Sequence, residues 1–370
     1  MKTKSIYFPG LNGLRAIAAV AVVISHITLA LKEFHLNPYI LGKSEDGKSE
    51  GLLLAGFGVS IFFVISGFLI TYLLQVEKEV NNISIKKFYL RRILRIWPLY
   101  YAYLILALIT IIVFKLDWNV KSLLLYIFYA ANIPIILDTA LPFLSHYWSL
   151  GVEEQFYLFW PWFNKKIGKN LITVILILII LLLGTKVGLH LFRPNSLLES
   201  IIHVTRFHCM MIGAIGAILY KQSNHWFLKL TDNKIAQGIC WFILFLVAIN
   251  KYHFASIIDN EIISIVALVL IIGQINIKNR LINLEINILD FLGKISYGIY
   301  VIHPLIICWL SKAFDHISVE TPYKYFEVYA ITLGLTILLS FLSYKYFEQY
   351  FLKLKKKFVV VPSSSTKTMA

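Results

Sequence analysis

Long apolar runs separated by short polar connections dominate this chain. Runs of membrane-helix length fall at 12–31, 52–76, 96–114, 147–163, 171–192, 206–220, 237–250, 261–277, 292–311 and 325–347. About 20 apolar residues in a helix span the hydrocarbon core of a bilayer. The pattern therefore predicts an all-α fold, a polytopic transmembrane helical bundle of about ten spans. A further segment, 122–137, is short and interrupted by Asn132 and Pro134, so 122–146 is expected to be re-entrant or interfacial. Such backbone is tolerated in a membrane only where it packs on protein or lines a wet cavity. No soluble domain or repeat breaks the pattern. Residues 1–350 read as one membrane domain and 351–370 as a basic, partly disordered tail, with Lys353 to Lys357 against anionic head groups and Pro362 to Ala370 frayed.

Composition narrows the class. Hydrophobic residues make up 58% and charged residues 15%, against about 45–50% and about 25% in an average globular domain, which excludes a water-soluble fold. The 26 Phe, 21 Tyr and 8 Trp exclude disorder, since that much apolar surface does not stay solvated. The net charge of +15 sits in short connections, so it reports membrane orientation and argues against a nucleic-acid partner. If 122–137 does not cross, one side of the membrane collects 21 Lys and Arg and the other 9, with five more inside spans. That bias predicts that both termini are cytoplasmic; the same parity holds if 122–137 crosses and 147–163 does not. Cys209, Cys240 and Cys308 lie in apolar stretches without metal or disulfide spacing, and no metal site is expected. Lys2 and Lys4 precede a long apolar run with no prompt cleavage site, which favours a retained first span over a signal peptide.

Ionisable groups inside spans are costly and mark interior or cavity-facing positions. Arg15 and His26 are eleven residues apart, which returns to within about 20° of the same helix face at a rise of roughly 16 Å. One face thus carries a cation near one membrane surface and an imidazole past the middle, the two ends of a transmembrane reaction path; snorkelling of Arg15 and a carbonyl partner for His26 are the structural alternative. Glu153 and Glu154, in Trp148-Ser149-Leu150-Gly151-Val152-Glu153-Glu154-Gln155-Phe156-Tyr157, are adjacent carboxylates in an apolar span. Such neighbours resist ionising together, so one is expected to be protonated or paired with a cation such as Arg15 or Arg206. They serve either as proton acceptor or imidazole orienter, or as an interhelical ion pair.

Ser296, Tyr300 and His303 recur at helical spacing, and Pro304 frees a backbone carbonyl that can engage His303 or Ser296. In the basic run Lys86, Lys87, Arg91, Arg92, Arg95, the pair Arg92 and Arg95 faces one way and can grip a phosphate; taken alone, the run is also the strongest orientation signal in the chain. Gly56, Gly58 and Gly67 allow close helix approach, and Ser66 beside Gly67 can reach a ligand.

In this order the segments resemble the acyltransferase-3 family of bacterial integral-membrane O-acyltransferases. The likeness runs from Leu11-Asn12-Gly13-Leu14-Arg15 with His26, through Gly58-Val59-Ser60-Ile61-Phe62-Phe63-Val64-Ile65-Ser66-Gly67-Phe68, Arg91-Arg92-Ile93-Leu94-Arg95-Ile96-Trp97-Pro98 and the Trp148 to Tyr157 segment, to Arg206-Phe207 and Ser296 to Pro304, covering about residues 8–350. It implies transfer of an acyl group, most often acetyl from acetyl-coenzyme A, to a hydroxyl of an envelope carbohydrate or glycolipid at the bacterial cytoplasmic membrane. It places the family's Arg and His on Arg15 and His26, and its coenzyme-binding arginines on Arg92 and Arg95, with Arg91 beside them. Trp148, Ser149, Arg206, Ser296, Tyr300 and His303 become substrate or structural positions. Asn12, Ala16, Ser60 and Gly151 depart from the usual Asp, Gly, Asp and Ser. Some relatives carry a C-terminal esterase-like domain, for which this chain is too short, so acceptor choice is expected to rest in the membrane part or a partner.

On this reading acyl-coenzyme A is a donor substrate, no cofactor is bound permanently, and His26 is the base, or itself carries the acyl group. Glu153 or Glu154 would orient the imidazole, and Arg15, Arg92 and Arg95 would hold the donor. A transporter or flippase for a glycolipid or anionic solute is the alternative class, and a catalytically silent scaffold ranks below both.

Overall fold

A computed structural model describes residues 6–44, 46–317 and 323–362. The described residues are helical apart from turns, loops and isolated bridge positions such as the Lys43–Ser49 pair. In chain order the helices are α1 (Leu11–Leu29), α2 (Leu53–Val80), α3 (Ile85–Val113), α4 (Val120–Ile127), α5 (Asn132–Ile136), α6 (Trp148–Lys166), α7 (Leu171–Phe192) and α8 (Leu197–Thr205). They continue with α9 (Phe207–Lys221), α10 (His225–Thr231), α11 (Lys234–Ala248), α12 (Asp259–Ile275), α13 (Asn287–Lys294), α14 (Ser296–Ile317), α15 (Lys324–Ser343) and α16 (Gln349–Lys355).

Each of the ten apolar runs is helical. By length and composition seven helical segments among the described residues can cross a membrane, α8 and α9 counted together as one, or eight if α10 and α11, bent by 51°, form one broken span. Of the rest, α6 carries two carboxylates and two lysines in 19 residues, and α12 is 17 residues long. The chain is thus a multi-pass membrane protein. Start signals follow the sequence closely: Ser84, Asn119, Ser196, Asn224 and Asn233 each accept a backbone N–H at the start of α3, α4, α8, α10 and α11. The cap at Ser84 starts α3 well before the apolar run at 96. The basic segment 86–95 is therefore the first turns of a 29-residue helix and not a loop.

The outer helices present apolar side chains outward. Ile105, Ile109 and Ile112 on α3, Ile177, Ile180 and Leu181 on α7, and Phe242 and Phe245 on α11 are exposed, as a lipid-facing surface requires. Inside, α1 is the hub and packs on α2, α13, α14 and α15. The tightest approach joins α2 and α9: a Cβ at Gly67 would collide with the Met210 carbonyl oxygen, and one at Gly213 with that of Val64. Gly58 lies against Ala18, but a Cβ at Gly56 meets nothing within 4 Å, so Gly56 has no packing role. The one lysine inside α7, Lys186, is buried and tied to Glu261 of α12 at 2.8 Å, where His208 of α9 also approaches at 3.0 Å. A lone charge in lipid costs several kcal/mol, so this triad fastens the otherwise peripheral α7.

The segment 122–146 holds no helix long enough to cross a membrane: α4 and α5 are short and are separated by a turn at 128–131. Its irregular carbonyls are instead met by hydroxyls and amides from neighbouring helices. Tyr100 donates to the Tyr126 carbonyl at 2.6 Å, Tyr101 to Ile127 at 2.9 Å and Tyr103 to Phe143 at 2.9 Å, while Gln155 reaches Tyr129 at 3.1 Å. Unmet carbonyls would not be tolerated in a dry environment.

Two differences stand at the C-terminal end. The run at 292–311 breaks at Ile295, which separates α13 from α14. The basic tail is folded as far as Phe358: a π-helical turn at Tyr344–Glu348 leads from α15 into α16, which packs on α3. The frayed end expected beyond Pro362 lies outside the described residues.

Adding one methyl group tests the α2–α9 contact. Gly67→Ala should lower the thermal stability of the detergent-solubilised protein, with an overpacking cost of about 1–3 kcal/mol. Gly56→Ala should leave the melting temperature unchanged, and equal melting of the two variants would refute the close approach.

Candidate active site

On α1 the helical repeat places Arg15 and His26 on one face, and that face opens onto three successive cavities. The first, of about 170 Å³, lies at the start of α1 and is lined by Arg15, Arg92 and Arg95 with Asn12, Tyr7 and Lys355. The second, of about 110 Å³, shares those three arginines and adds Ser66, Ser149, Glu153, Tyr157, Ser296 and Tyr300. The third, of about 360 Å³, holds His26 with His146, Trp148 and Arg206, and it shares only Val59 and Tyr300 with the second. The cation and the imidazole of α1 thus face separate chambers with Tyr300 in the partition. The Tyr300 hydroxyl is fixed by Ser149 Oγ at 2.6 Å and the His146 carbonyl at 2.7 Å.

At the arginine end, the three-residue spacing on α3 brings Arg92 and Arg95 to the same cavities. The Arg92 guanidinium lies over the rings of Phe88 and Tyr157, 5.8 and 5.7 Å from their centroids, and its Nε is buried without a partner. Arg91 faces elsewhere. It pairs with buried Glu77 at 2.8 Å and donates to the Phe358 carbonyl at 3.1 Å, so its charge is already met inside the protein.

The two adjacent carboxylates diverge, as neighbours about 100° apart on a helix must. Glu153 faces the second cavity and accepts from both Ser66 and Tyr157. Glu154 points to the opposite flank, where Trp97 Nε1 donates to Oε2 at 3.4 Å and Oε1 is buried without a partner. Among the described residues the carboxylates bond Ser66, Tyr157 and Trp97, and neither bonds Arg15, Arg206 or His26. The expected role of a glutamate in orienting the imidazole is taken by another side chain.

That side chain is His303. Its Nε2 is 2.7 Å from His26 Nδ1, and its own Nδ1 is 3.1 Å from the Ile299 carbonyl in the turn that Pro304 disrupts. A carbonyl only accepts, so the proton of His303 sits on Nδ1 and its Nε2 is a lone pair. For a neutral pair, His26 must then donate through Nδ1, which leaves its Nε2 bare. The backbone of α14 thereby dictates, through two rings, which nitrogen of His26 carries the lone pair.

The remaining candidates are also placed. Arg206 adopts φ 42° at the α8–α9 junction, lies 5.2 Å over the Trp148 ring and lines the His26 cavity. Ser296 donates to the Gly293 carbonyl at 2.9 Å and lines the second cavity. Two contributors have no signal in the sequence pattern. His146, in a short turn outside any periodic run, bonds the Val301 carbonyl at 3.1 Å and packs on His303 at 5.4 Å between ring centroids. Lys355 is one of several lysines in a basic run, and only the fold brings it to the first cavity.

Apolar helices around a chambered polar passage define an intramembrane site with a cationic end and an imidazole end. Residues 8–345 match the model of the acyltransferase domain that defines the acyltransferase-3 family, and the chain belongs to that family. Similar curated proteins include one of Staphylococcus aureus (strain COL) provisionally named O-acetyltransferase SACOL0978, 28% identical over 386 residues, with 95% of this chain and 58% of that protein covered. O-acetyltransferase OatA of Staphylococcus aureus (strain NCTC 8325 / PS 47) is 27% identical over 366 residues, covering 92% of this chain and 57% of that protein. The chain thus spans less than three fifths of the length of these relatives. No solved structure matches.

The hydrogen-bond chain sets a spectroscopic expectation. In lipid nanodiscs with ¹⁵N-labelled histidine, His26, assigned by its loss in His26→Ala, should show a protonated Nδ1 and a bare Nε2. His303→Gln keeps an acceptor and should preserve that pattern, whereas His303→Met, of similar shape, should move the proton toward Nε2. An Nε2-protonated His26 in the unaltered protein would contradict the assignment.

Proposed function

We propose that this chain is an O-acyltransferase of the bacterial cytoplasmic membrane. It moves an acyl group, acetyl by likeness to the named relatives, from acyl-coenzyme A to a hydroxyl of an envelope carbohydrate or glycolipid. The observation that carries this reading is the bare Nε2 of His26 in one chamber and the cluster of Arg15, Arg92 and Arg95 in the next. The bias of Lys and Arg toward the side that holds the start of α1 supports a cytoplasmic arginine end.

The chemistry follows from those positions. Guanidinium groups suit the phosphates of the donor, which leaves the thioester arm to extend past Tyr300 toward His26. As the acceptor oxygen attacks the thioester carbonyl, His26 Nε2 takes its proton, and the new charge on the ring is shared through Nδ1–H with His303. Arg206, in the same chamber, is the cation available to the tetrahedral oxyanion. When the C–S bond breaks, the coenzyme thiolate takes the proton back, so that acyl thioester and alcohol become ester and free thiol. Glu153 holds Ser66 and Tyr157 around the passage between the two ends.

The test uses membranes containing the full chain, acetyl-coenzyme A and cell-envelope material. Free thiol should appear together with the mass increment of an acetyl group on an envelope glycan. His26→Ala should abolish both, a loss of at least about 100-fold, while the protein still inserts. Thiol release without ester gain, no release at all, or normal yield from His26→Ala would overturn the reading. A transporter of the same shape would consume no thioester.

A further inference from the structure

The family match ends at residue 345, yet the chain continues through α16 to Pro362 in an ordered path beneath the arginine end of the site. That path is fastened at three points. Arg91, held by Glu77, donates to the Phe358 carbonyl at 3.1 Å, Ile6 N–H donates to the Pro362 carbonyl at 2.8 Å, and Val361 is buried. Just ahead of these ties Lys355 enters the wall of the first cavity and also of a smaller one beside Arg91 and Arg92.

Among the described residues the lining of the first cavity contains four basic side chains, Arg15, Arg92, Arg95 and Lys355, and no carboxylate. Like charges gathered around one concave space repel one another, and an anion with several negative oxygens relieves that repulsion. The two other lysines that follow in the same run, Lys356 and Lys357, are exposed, as is Lys353 before it. Only Lys355 is turned inward.

We propose that the segment 349–362 positions one residue of the donor site, Lys355, as a phosphate ligand completing the cationic cup formed by Arg15, Arg92 and Arg95. The ligand class is an organic phosphate. Its source is the coenzyme moiety of the acyl donor, an assignment that rests on the function proposed above. In the sequence the same lysine belongs to a run that suits anionic head groups, so the competing source is a lipid phosphate.

The experiment measures coenzyme A binding by calorimetry to the full chain in nanodiscs of zwitterionic lipid, for the unaltered protein, Lys355→Gln, Lys355→Arg and Lys353→Gln. Loss of a charge-assisted bond in a partly dry site should weaken binding by about tenfold or more in Lys355→Gln. Lys355→Arg should retain most of the affinity, and Lys353→Gln, an equal charge change on the exposed side of α16, should shift it by less than about twofold. Repeating the titration with 3′-dephospho-coenzyme A locates the contact. If Lys355→Gln no longer matters, the lysine holds the 3′-phosphate, and if the loss persists, it holds the diphosphate; both outcomes support the proposal. Unchanged binding in Lys355→Gln overturns it while leaving the donor reading intact. A Lys355→Gln effect that appears only when anionic lipid is added assigns the lysine to a head group and also overturns it. Absence of coenzyme A binding by the unaltered protein removes the donor reading, and the proposal with it.

Discussion

Everything in this molecule is subordinate to the cost of a bare polar group in hydrocarbon. The response recurs along the chain, with Glu154 Oε1 and Arg92 Nε left without a partner. Charges inside spans face one another, as Lys186 and Glu261 do, or they face a cavity, as Arg15 and Arg95 do. In 122–146, tyrosine hydroxyls and a glutamine amide reach carbonyls of the irregular backbone. The cavities therefore sit where several helices turn their few polar residues inward, and α1, with α2, α3, α6 and α14 around it, supplies most of their walls.

A second theme is the use of backbone to set side-chain chemistry. Pro304 removes a donor from α14, and the turn before it carries the carbonyl that fixes the tautomer of His303, which in turn fixes that of His26. No carboxylate is needed for this, which suits a membrane interior where a second buried charge would be costly. Glu153 is then free to order Ser66 and Tyr157 along the passage.

Much of this was legible in the residues because helices repeat. The eleven-residue interval from Arg15 to His26 and the three-residue interval from Arg92 to Arg95 needed only the helical period. The divergence of Glu153 and Glu154 follows from the same period, but which flank each faces depends on how α6 packs, which no local pattern records. His146 lies in a three-residue turn, where spacing carries no directional information, so its place against His303 is a product of tertiary structure alone. Lys355 was hidden by its neighbours: a run of basic residues looks uniformly solvated until the turn from α15 into α16 aims one of them inward. Arg91 shows the converse, an apparent ligand whose partner, Glu77, lies fourteen residues away on another helix.

The partition at Tyr300 has a consequence beyond group transfer. A bacterial membrane stores energy as a difference in proton concentration, and a continuous column of water joining a cationic vestibule to an imidazole chamber would discharge it. With its phenol pinned between Ser149 and the carbonyl of His146, Tyr300 stands between the two chambers and narrows the way from one to the other. In the reaction proposed above, that separation keeps the solvent of the arginine chamber apart from that of the imidazole chamber.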